Sequence, residues 1–274
     1  MLLLCDSDCI LMAMHIIQIL VLGVVEGLTE FLPISSTAHI MMAARLMHSV
    51  DFFQIDFLKT FEIIVQFGAI LAIVVLYWRR LYAMKVIWLK ILAAFIPTGI
   101  IGLLLYKTFK NHLNDNLVLA VWVLGIGGVL LILFEIFYKD KKPLTDSIQE
   151  LAALSYTKAV LIGCAQSIAI IPGVSRSAAT IVAGRALGVS RRAIVEFSFL
   201  LAVPTMLAAS GYELYKNTTH LSGGEYGYIG LGLVVAFVTA FLSVRWFLRY
   251  IQSHNFIAFG IYRVILAFAF IPFL

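Results

Sequence analysis

Charge is scarce in this sequence: Asp, Glu, Lys and Arg together make up 13% of it, against roughly a quarter in an ordinary water-soluble domain. That scarcity excludes a solvated globular surface, because 62% of the 274 residues are hydrophobic and a core of this chain length cannot enclose so much apolar bulk. Cysteine is also rare. Cys5, Cys9 and Cys164 are the three present, which excludes a disulfide framework; a loose metal pair at Cys5 and Cys9 is the lesser reading beside a loosely held N-terminus. The formal charge of +5 is no nucleic-acid signal, since its Lys and Arg lie between apolar segments and no base-stacking module accompanies them. A basic n-region is missing from the start, and Asp6 and Asp8 interrupt it. No signal-peptide cleavage is therefore expected, and the first dozen residues are read as loosely held.

What remains is grease in long runs. A mean hydropathy of +1.01 points to an all-α polytopic membrane protein, a single integral membrane domain over 1–274. Full spans are predicted at Phe61–Trp78, Val86–Tyr106, Leu117–Phe137, Arg192–Tyr215, Tyr226–Leu248 and Asn255–Phe273, with Pro204 kinking the fourth. Asp51–Thr60 reads as a polar connection, and Tyr138–Lys158 as a surface linker holding a short helix near Ile148–Leu154. Two further apolar stretches are too broken to be ordinary spans. Ile16–Phe31 stops before Pro33 and resumes over His39–Met47, and Ala159–Ile171 stops at Pro172–Gly173 and resumes over Ala178–Leu187.

A broken helix pair followed by three spans thus occurs twice, over about 14–137 and 159–273. An offset of 140 places Gly163 on Gly23, Gln166 on Glu26, Ser175 on Ser35, Ser177 on Thr37 and Arg185 on Arg45. If each pair enters and leaves on one side, the second half is inverted relative to the first. One side then receives Arg79, Arg80, Lys85, Lys139, Lys141, Lys142, Lys158, Arg191, Arg192, Arg245 and Arg249, the other Lys59, Lys107, Lys110 and Lys216. The rich side is cytoplasmic. Both termini and the first pair open outward and the second pair inward, with Trp78, Trp88 and Trp246 as anchors near the cytoplasmic edge.

The breaks carry the chemistry. Non-helical backbone within a bilayer must line water or be buried in protein. Ser35, Ser36 and Thr37 precede or open one helix, and Ser175 and Ser177 flank the start of the other; free amides at such starts form an anion site. Arg176 sharpens that reading, because its planar fork suits phosphate or carboxylate oxygens. Glu26 and Glu30 share a helix face, about 6 Å apart along the axis from four residues of about 1.5 Å rise. They suit a divalent cation such as Mg²⁺ or Ca²⁺; the bland alternative pairs one acid with Arg176 and protonates the other. His39, one turn past Ser35 or Ser36, is a candidate base. Either Ser36 attacks phosphorus with His39 as base, or His39 attacks or activates water while Ser36 holds an oxygen. The same layout also fits a secondary transporter of an anionic substrate, with Arg176 holding the anion and Glu26 or Glu30 the coupling ion.

Gly23–His39, which reads GVVEGLTEFLPISSTAH, and Pro172–Thr180, which reads PGVSRSAAT, resemble the two motifs of the bacterial undecaprenyl-pyrophosphate phosphatases associated with bacitracin resistance, and Glu196–Thr205 resembles the stretch that follows. The likeness covers nearly the whole chain. Ala38 and Ala178 stand where that family usually has glycine. The resemblance implies hydrolysis of the terminal phosphate of undecaprenyl pyrophosphate in the bacterial inner membrane, returning the peptidoglycan lipid carrier, with a site opening to the periplasmic side. It implies a divalent cation (Mg or Ca), catalytic roles for Glu26, Glu30, Ser36, His39 and Arg176, and substrate contacts from Ser35, Thr37, Gly173, Ser175, Ser177 and Thr180. Polyprenyl pyrophosphate and membrane lipids are the implied partners, a homodimer is compatible, and movement of the lipid across the bilayer is the alternative activity.

Other polar residues are weighed more lightly. Glu62 and Gln66 are candidates to approach the pocket, and Gln166 to hydrogen-bond across the interface between the halves. Glu196 and Arg263 look intramembrane, a structural ion pair being one account of them, and Arg45 and Arg185 are expected to reach an interface.

Overall fold

Apolar residues recur around most of the helical circumference in this chain, so its helices have to find partners through shape as well as through a greasy stripe. The computed structural model describes residues 7–47, 55–83, 85–112, 116–138, 147–216 and 223–274. It is an all-α bundle with no strand among the described residues. The elements in order are α1 (Ser7–Thr29), α2 (Ser36–Leu46), α3 (Ile55–Ala83), α4 (Lys85–His112), α5 (Leu117–Phe137), α6 (Ser147–Ala153), α7 (Tyr156–Gln166), α8 (Arg176–Ala186), α9 (Arg191–Lys216), α10 (Gly223–Tyr250) and α11 (Ile257–Phe270). A 3₁₀ turn over Ser167–Ile170 extends α7, and another over Ile271–Phe273 closes α11.

Five of these helices, in α3, α4, α5, α9 and α10, are long and apolar enough to cross a membrane, while α11 with its 3₁₀ turn is shorter than the expected sixth span. Leu104 at 75% and Phe137 at 82% exposure face outward, the placement of side chains that meet lipid. Several boundaries differ from expectation. The chain is already helical from Ser7 where a loose start was expected, and α3 begins at Ile55, inside the expected polar connection. Pro97 and Pro204 both sit inside continuous helices. The short linker helix is α6, and it turns by 100° into α7. Lys90 donates to the carbonyls of Leu151 and Ala152 there, placing a cation on the carbonyl end of α6. Cys5 and the linker lysines 139, 141 and 142 fall outside the described residues, as do the side chains of Cys9, Lys59, Arg79, Arg80, Lys85, Lys107, Lys110 and Lys216.

Glycine sets which helices touch. α1 packs on α10, where a Cβ on Gly27 would lie 2.5 Å from the carbonyl of Ala236. α7 packs on α4, where a Cβ on Gly163 would overlap the carbonyl of Ala94 and Thr98 Oγ1 donates to the Gly163 carbonyl at 2.8 Å. α3 lies against both α9 and α10, α4 also meets α9, and α5 meets α11. Phe31, just after α1, stacks edge-on against Phe199 at 5.5 Å, and Phe199 leads through Phe247 to Phe259. The main hydrophobic core therefore lies directly beneath the first break.

Gly163→Ala forces a methyl into the α4 backbone, an overpacking of about 1–3 kcal/mol. It should lower the thermal denaturation midpoint in detergent, whereas Gly211→Ala, with open space around that position, should leave it unchanged or slightly raised.

Candidate active site

α1 ends because Pro33 cannot donate a main-chain hydrogen bond. The last regular bond runs from the Glu30 N–H to the Glu26 carbonyl at 2.9 Å, so both carboxylates lie on the final turn and both are buried. Five residues later Ser35 adopts φ 69°, and α2 begins at Ser36. The second break has the same form: Ser175 adopts φ 72°, and α8 begins at Arg176. Left-handed backbone is costly for a residue with a Cβ, so its occurrence in both serines marks two turns that their surroundings hold in place.

The turns bring three predicted residues together. Ser36 Oγ donates to Glu30 Oε2 in a short hydrogen bond. Arg176 Nη2 donates to Glu30 Oε1 at 3.4 Å, and Nη1 to the Ser198 carbonyl at 3.0 Å. The guanidinium also stands 5.7 Å from the centre of the Phe31 ring. Both oxygens of Glu30 are thus engaged, one by each break. Glu26 differs: its Oε1 is buried and makes no hydrogen bond. Glu30 and Glu62 act on it as like charges and Arg176 as the opposing one. An orphaned carboxylate oxygen beside a second acid and a hydroxyl is a donor set of hard oxygens, which fits Mg²⁺ or Ca²⁺. No cluster of three or more acidic, His or Cys ligands occurs among the described residues, so water or substrate oxygens would complete such a shell.

His39, the candidate base, makes its two side-chain hydrogen bonds with groups other than Ser36. His39 Nδ1 lies 2.7 Å from the Ser35 carbonyl, which can only accept, so Nδ1 carries the proton. Nε2 then accepts from the Tyr262 hydroxyl at 2.8 Å, with the rings stacked. The residue positioned to take the proton of Ser36 is Glu30. Tyr262 belongs to α11, more than two hundred residues from His39, and no local pattern marks it.

The remaining hydroxyls hold the breaks together. Ser177 Oγ donates to the Phe31 carbonyl at 3.0 Å, tying α8 to the end of α1. Thr180 Oγ1 lies 2.9 Å from the Arg176 carbonyl and 3.2 Å from Gln166 Oε1, and Gln166 Nε2 donates to Thr98. Gln166 is therefore a hydrogen-bonding bridge from α7 to α8 and α4. Ser175 Oγ caps α8 by accepting from the Ala178 N–H at 3.2 Å, whereas the Ser35 side chain caps nothing. The amides of Ser36, Thr37 and Ala38 consequently open α2 without a helix partner, and Thr37 is exposed. Gly173, at φ 94°, packs so closely on the Ala120 carbonyl that any Cβ would overlap it.

Glu196 and Arg263 do not pair: Glu196 meets Arg192 at 3.1 Å, and Arg263 is bonded to main-chain carbonyls. Gln66 accepts from Ser210 rather than reaching the two acids. Arg45 is exposed, whereas Arg185 is enclosed, with its guanidinium 5.2 Å from the Tyr138 ring.

Comparison with known proteins covers nearly the whole chain. Residues 19–269 match the profile of the bacitracin resistance protein BacA family. A Wolinella succinogenes protein named undecaprenyl-diphosphatase is 46% identical over 261 residues, 95% of this chain and 99% of its own. The Aquifex aeolicus protein of that name is 46% identical over 93% of this chain and 97% of its own, and one from Campylobacter jejuni is 43% identical over 94% of each. With two buried acids, a serine and an arginine gathered between two broken helices, and with relatives matched almost end to end, the chain belongs to the bacitracin resistance protein BacA family.

Proposed function

We propose that this protein hydrolyses the terminal phosphate of undecaprenyl diphosphate, yielding undecaprenyl phosphate and inorganic phosphate at the outer face of the bacterial inner membrane. The observation that carries the reading is Glu30, whose two oxygens meet Ser36 from one break and Arg176 from the other. The relatives named undecaprenyl-diphosphatase, aligned over almost their whole length, supply the substrate.

In the proposed reaction, Arg176 and the open amides at the start of α2 hold the terminal phosphate. Glu30 accepts the Ser36 proton as Oγ attacks phosphorus. The bridging P–O bond breaks and undecaprenyl phosphate leaves with its electron pair. Water then attacks phosphorus and the Ser–O–P bond breaks, releasing phosphate, while Glu30 returns its proton to Oγ and restores the serine hydroxyl. His39 accepts a proton from that water through Nε2 once the Tyr262 hydroxyl turns away. Attack by water in a single step, with Ser36 holding a phosphate oxygen, uses the same residues. A divalent ion held by Glu26 and Glu30 would supply charge neutralisation of the pyrophosphate when bound. Ser175, Ser177 and Thr180 act mainly by fixing the second break through their hydrogen bonds.

The proposed architecture is two inverted-topology repeats, each a re-entrant pair and three crossing helices. Supporting it, α2 and α8 begin 140 residues apart, each has 11 residues, and each follows a serine with positive φ. The pairing of α1 with α10 has its counterpart in α7 with α4. That symmetry also favours a second reading, passage of the anionic lipid across the bilayer through the same centre.

Phosphate release by detergent-purified protein with Mg²⁺ or Ca²⁺ tests the chemistry. Glu30→Gln and Arg176→Ala should each lower kcat at least on the order of 100-fold; absence of release by the unaltered protein, together with gradient-dependent uptake into vesicles, would favour transport. Ser36→Ala should abolish any trappable phosphoserine, and normal turnover in that variant would remove the serine from the attack. For topology, a membrane-impermeant thiol reagent on intact cells should label Asn114→Cys and spare Thr145→Cys in a chain lacking Cys5, Cys9 and Cys164.

A further inference from the structure

Arg263 is a cation 1% exposed in the middle of the bundle, and among the described residues its hydrogen bonds all run to main-chain carbonyls. Nε donates to Leu124 of α5 at 3.1 Å. Nη1 donates to Pro33 at 3.2 Å and Val174 at 3.3 Å, and Nη2 to Gly173 at 2.9 Å and Val174 at 3.3 Å. Pro33 belongs to the first break, Gly173 and Val174 to the second. Carbonyls released from a helix within a bilayer need partners inside the protein. Here one guanidinium supplies them to both breaks at once.

A close helix crossing brings the guanidinium there. A Cβ on Gly128 would lie 2.7 Å from the Gly260 carbonyl and 2.8 Å from Arg263 Cβ, while one on Gly127 would overlap Arg263 Nη2. The glycines of α5 thus leave a slot that the fork fills. The preceding residue, Tyr262, meets His39 at 2.8 Å, so α11 contributes two consecutive side chains to the site.

We propose that Arg263 is a positioning residue for the hydrolysis: by binding the carbonyls of both breaks it sets the first, with Glu30 and Ser36, at the distance from the second at which Arg176 completes the phosphate site. This inference rests on the phosphatase reading above. Arg263 touches no reacting atom and acts through the two turns. Its planar fork is essential to that work, because an ammonium retains the charge but is a compact point donor without the reach to both breaks.

The test compares Arg263→Lys, Gly127→Ala and Gly125→Ala in detergent-purified protein, measuring kcat, KM and the thermal midpoint. Gly127→Ala displaces the fork without removing it. Gly125→Ala is the control on the same crossing, its Cβ lying 3.1 Å from Ala267 and away from Arg263. Arg263→Lys and Gly127→Ala should lose kcat on the order of 100-fold while KM stays within about threefold, since misplacement of reacting groups by about 1 Å acts on turnover. Gly125→Ala should keep kcat at a similar thermal midpoint. Wild-type kcat in Arg263→Lys or in folded Gly127→Ala overturns the inference, as does an equal loss in Gly125→Ala. If Gly127→Ala does not fold, Arg263→Lys decides. Failure of both to fold while Gly125→Ala folds makes Arg263 a residue of the fold alone and also overturns it. Absence of phosphate release by the unaltered protein would instead sink the phosphatase reading itself.

Discussion

An unpartnered peptide group away from water costs several kcal/mol, and this chain, five of whose helices are long and apolar enough to cross a membrane, interrupts two others. Helix-breaking residues at Pro33 and Gly173 free carbonyls and amides, and the structure disposes of the two kinds differently. Carbonyls are gathered inward: those of Pro33, Gly173 and Val174 on Arg263, and that of Phe31 on Ser177. At α8 the Ala178 amide is closed by Ser175, but the first amides of α2 stay open. Satisfying the acceptors while leaving donors open at one helix start makes an anion seat from backbone alone.

The acids have the opposite problem. Glu26 and Glu30 are buried with Glu62 acting as a third like charge, and buried like charges repel strongly unless a cation or protons intervene. Arg176 answers for Glu30 but leaves one oxygen of Glu26 without a hydrogen bond. The imbalance suits a pocket whose working state includes further positive charge. It also explains why Glu30 rather than Glu26 carries the serine contact, since its position beyond the last full turn of α1 lets it face both breaks.

Much of this arrangement was legible in the sequence, for physical reasons that also mark where legibility ended. Long apolar runs identified the five helices long enough to cross a membrane but overstated the sixth, and proline or glycine within shorter runs identified both breaks, because period and punctuation are local signals. That Arg176 pairs with one of the two acids was readable as the alternative to a bound cation, because buried charges of opposite sign seek each other, but which acid it meets was not. What escaped was set by tertiary packing. Ser36 and Glu30 are six residues apart across a turn whose direction depends on the φ of Ser35, so His39 looked like the nearer base. Tyr262 meets His39 only because α11 crosses α5 at paired glycines. Arg263 was recognisable as intramembrane, but its partners are carbonyls, which carry no residue-type signature. Arg185, like Arg45, lies late in its helix and so reads in sequence as reaching an interface, yet it is enclosed beside Tyr138.

The twin serines with left-handed backbone have one more consequence. They give the chain one turn shape used twice, yet the side chains mounted on it have parted ways: Ser36 against Arg176, Glu26 against Gln166, His39 against Ala179, all at the same spacing. The serine hydroxyl and the two acids sit beside one turn, the guanidinium beside the other. Neither turn carries the whole set, so any group lying between them meets chemically different walls on its two sides, acids and a hydroxyl on one and a guanidinium on the other.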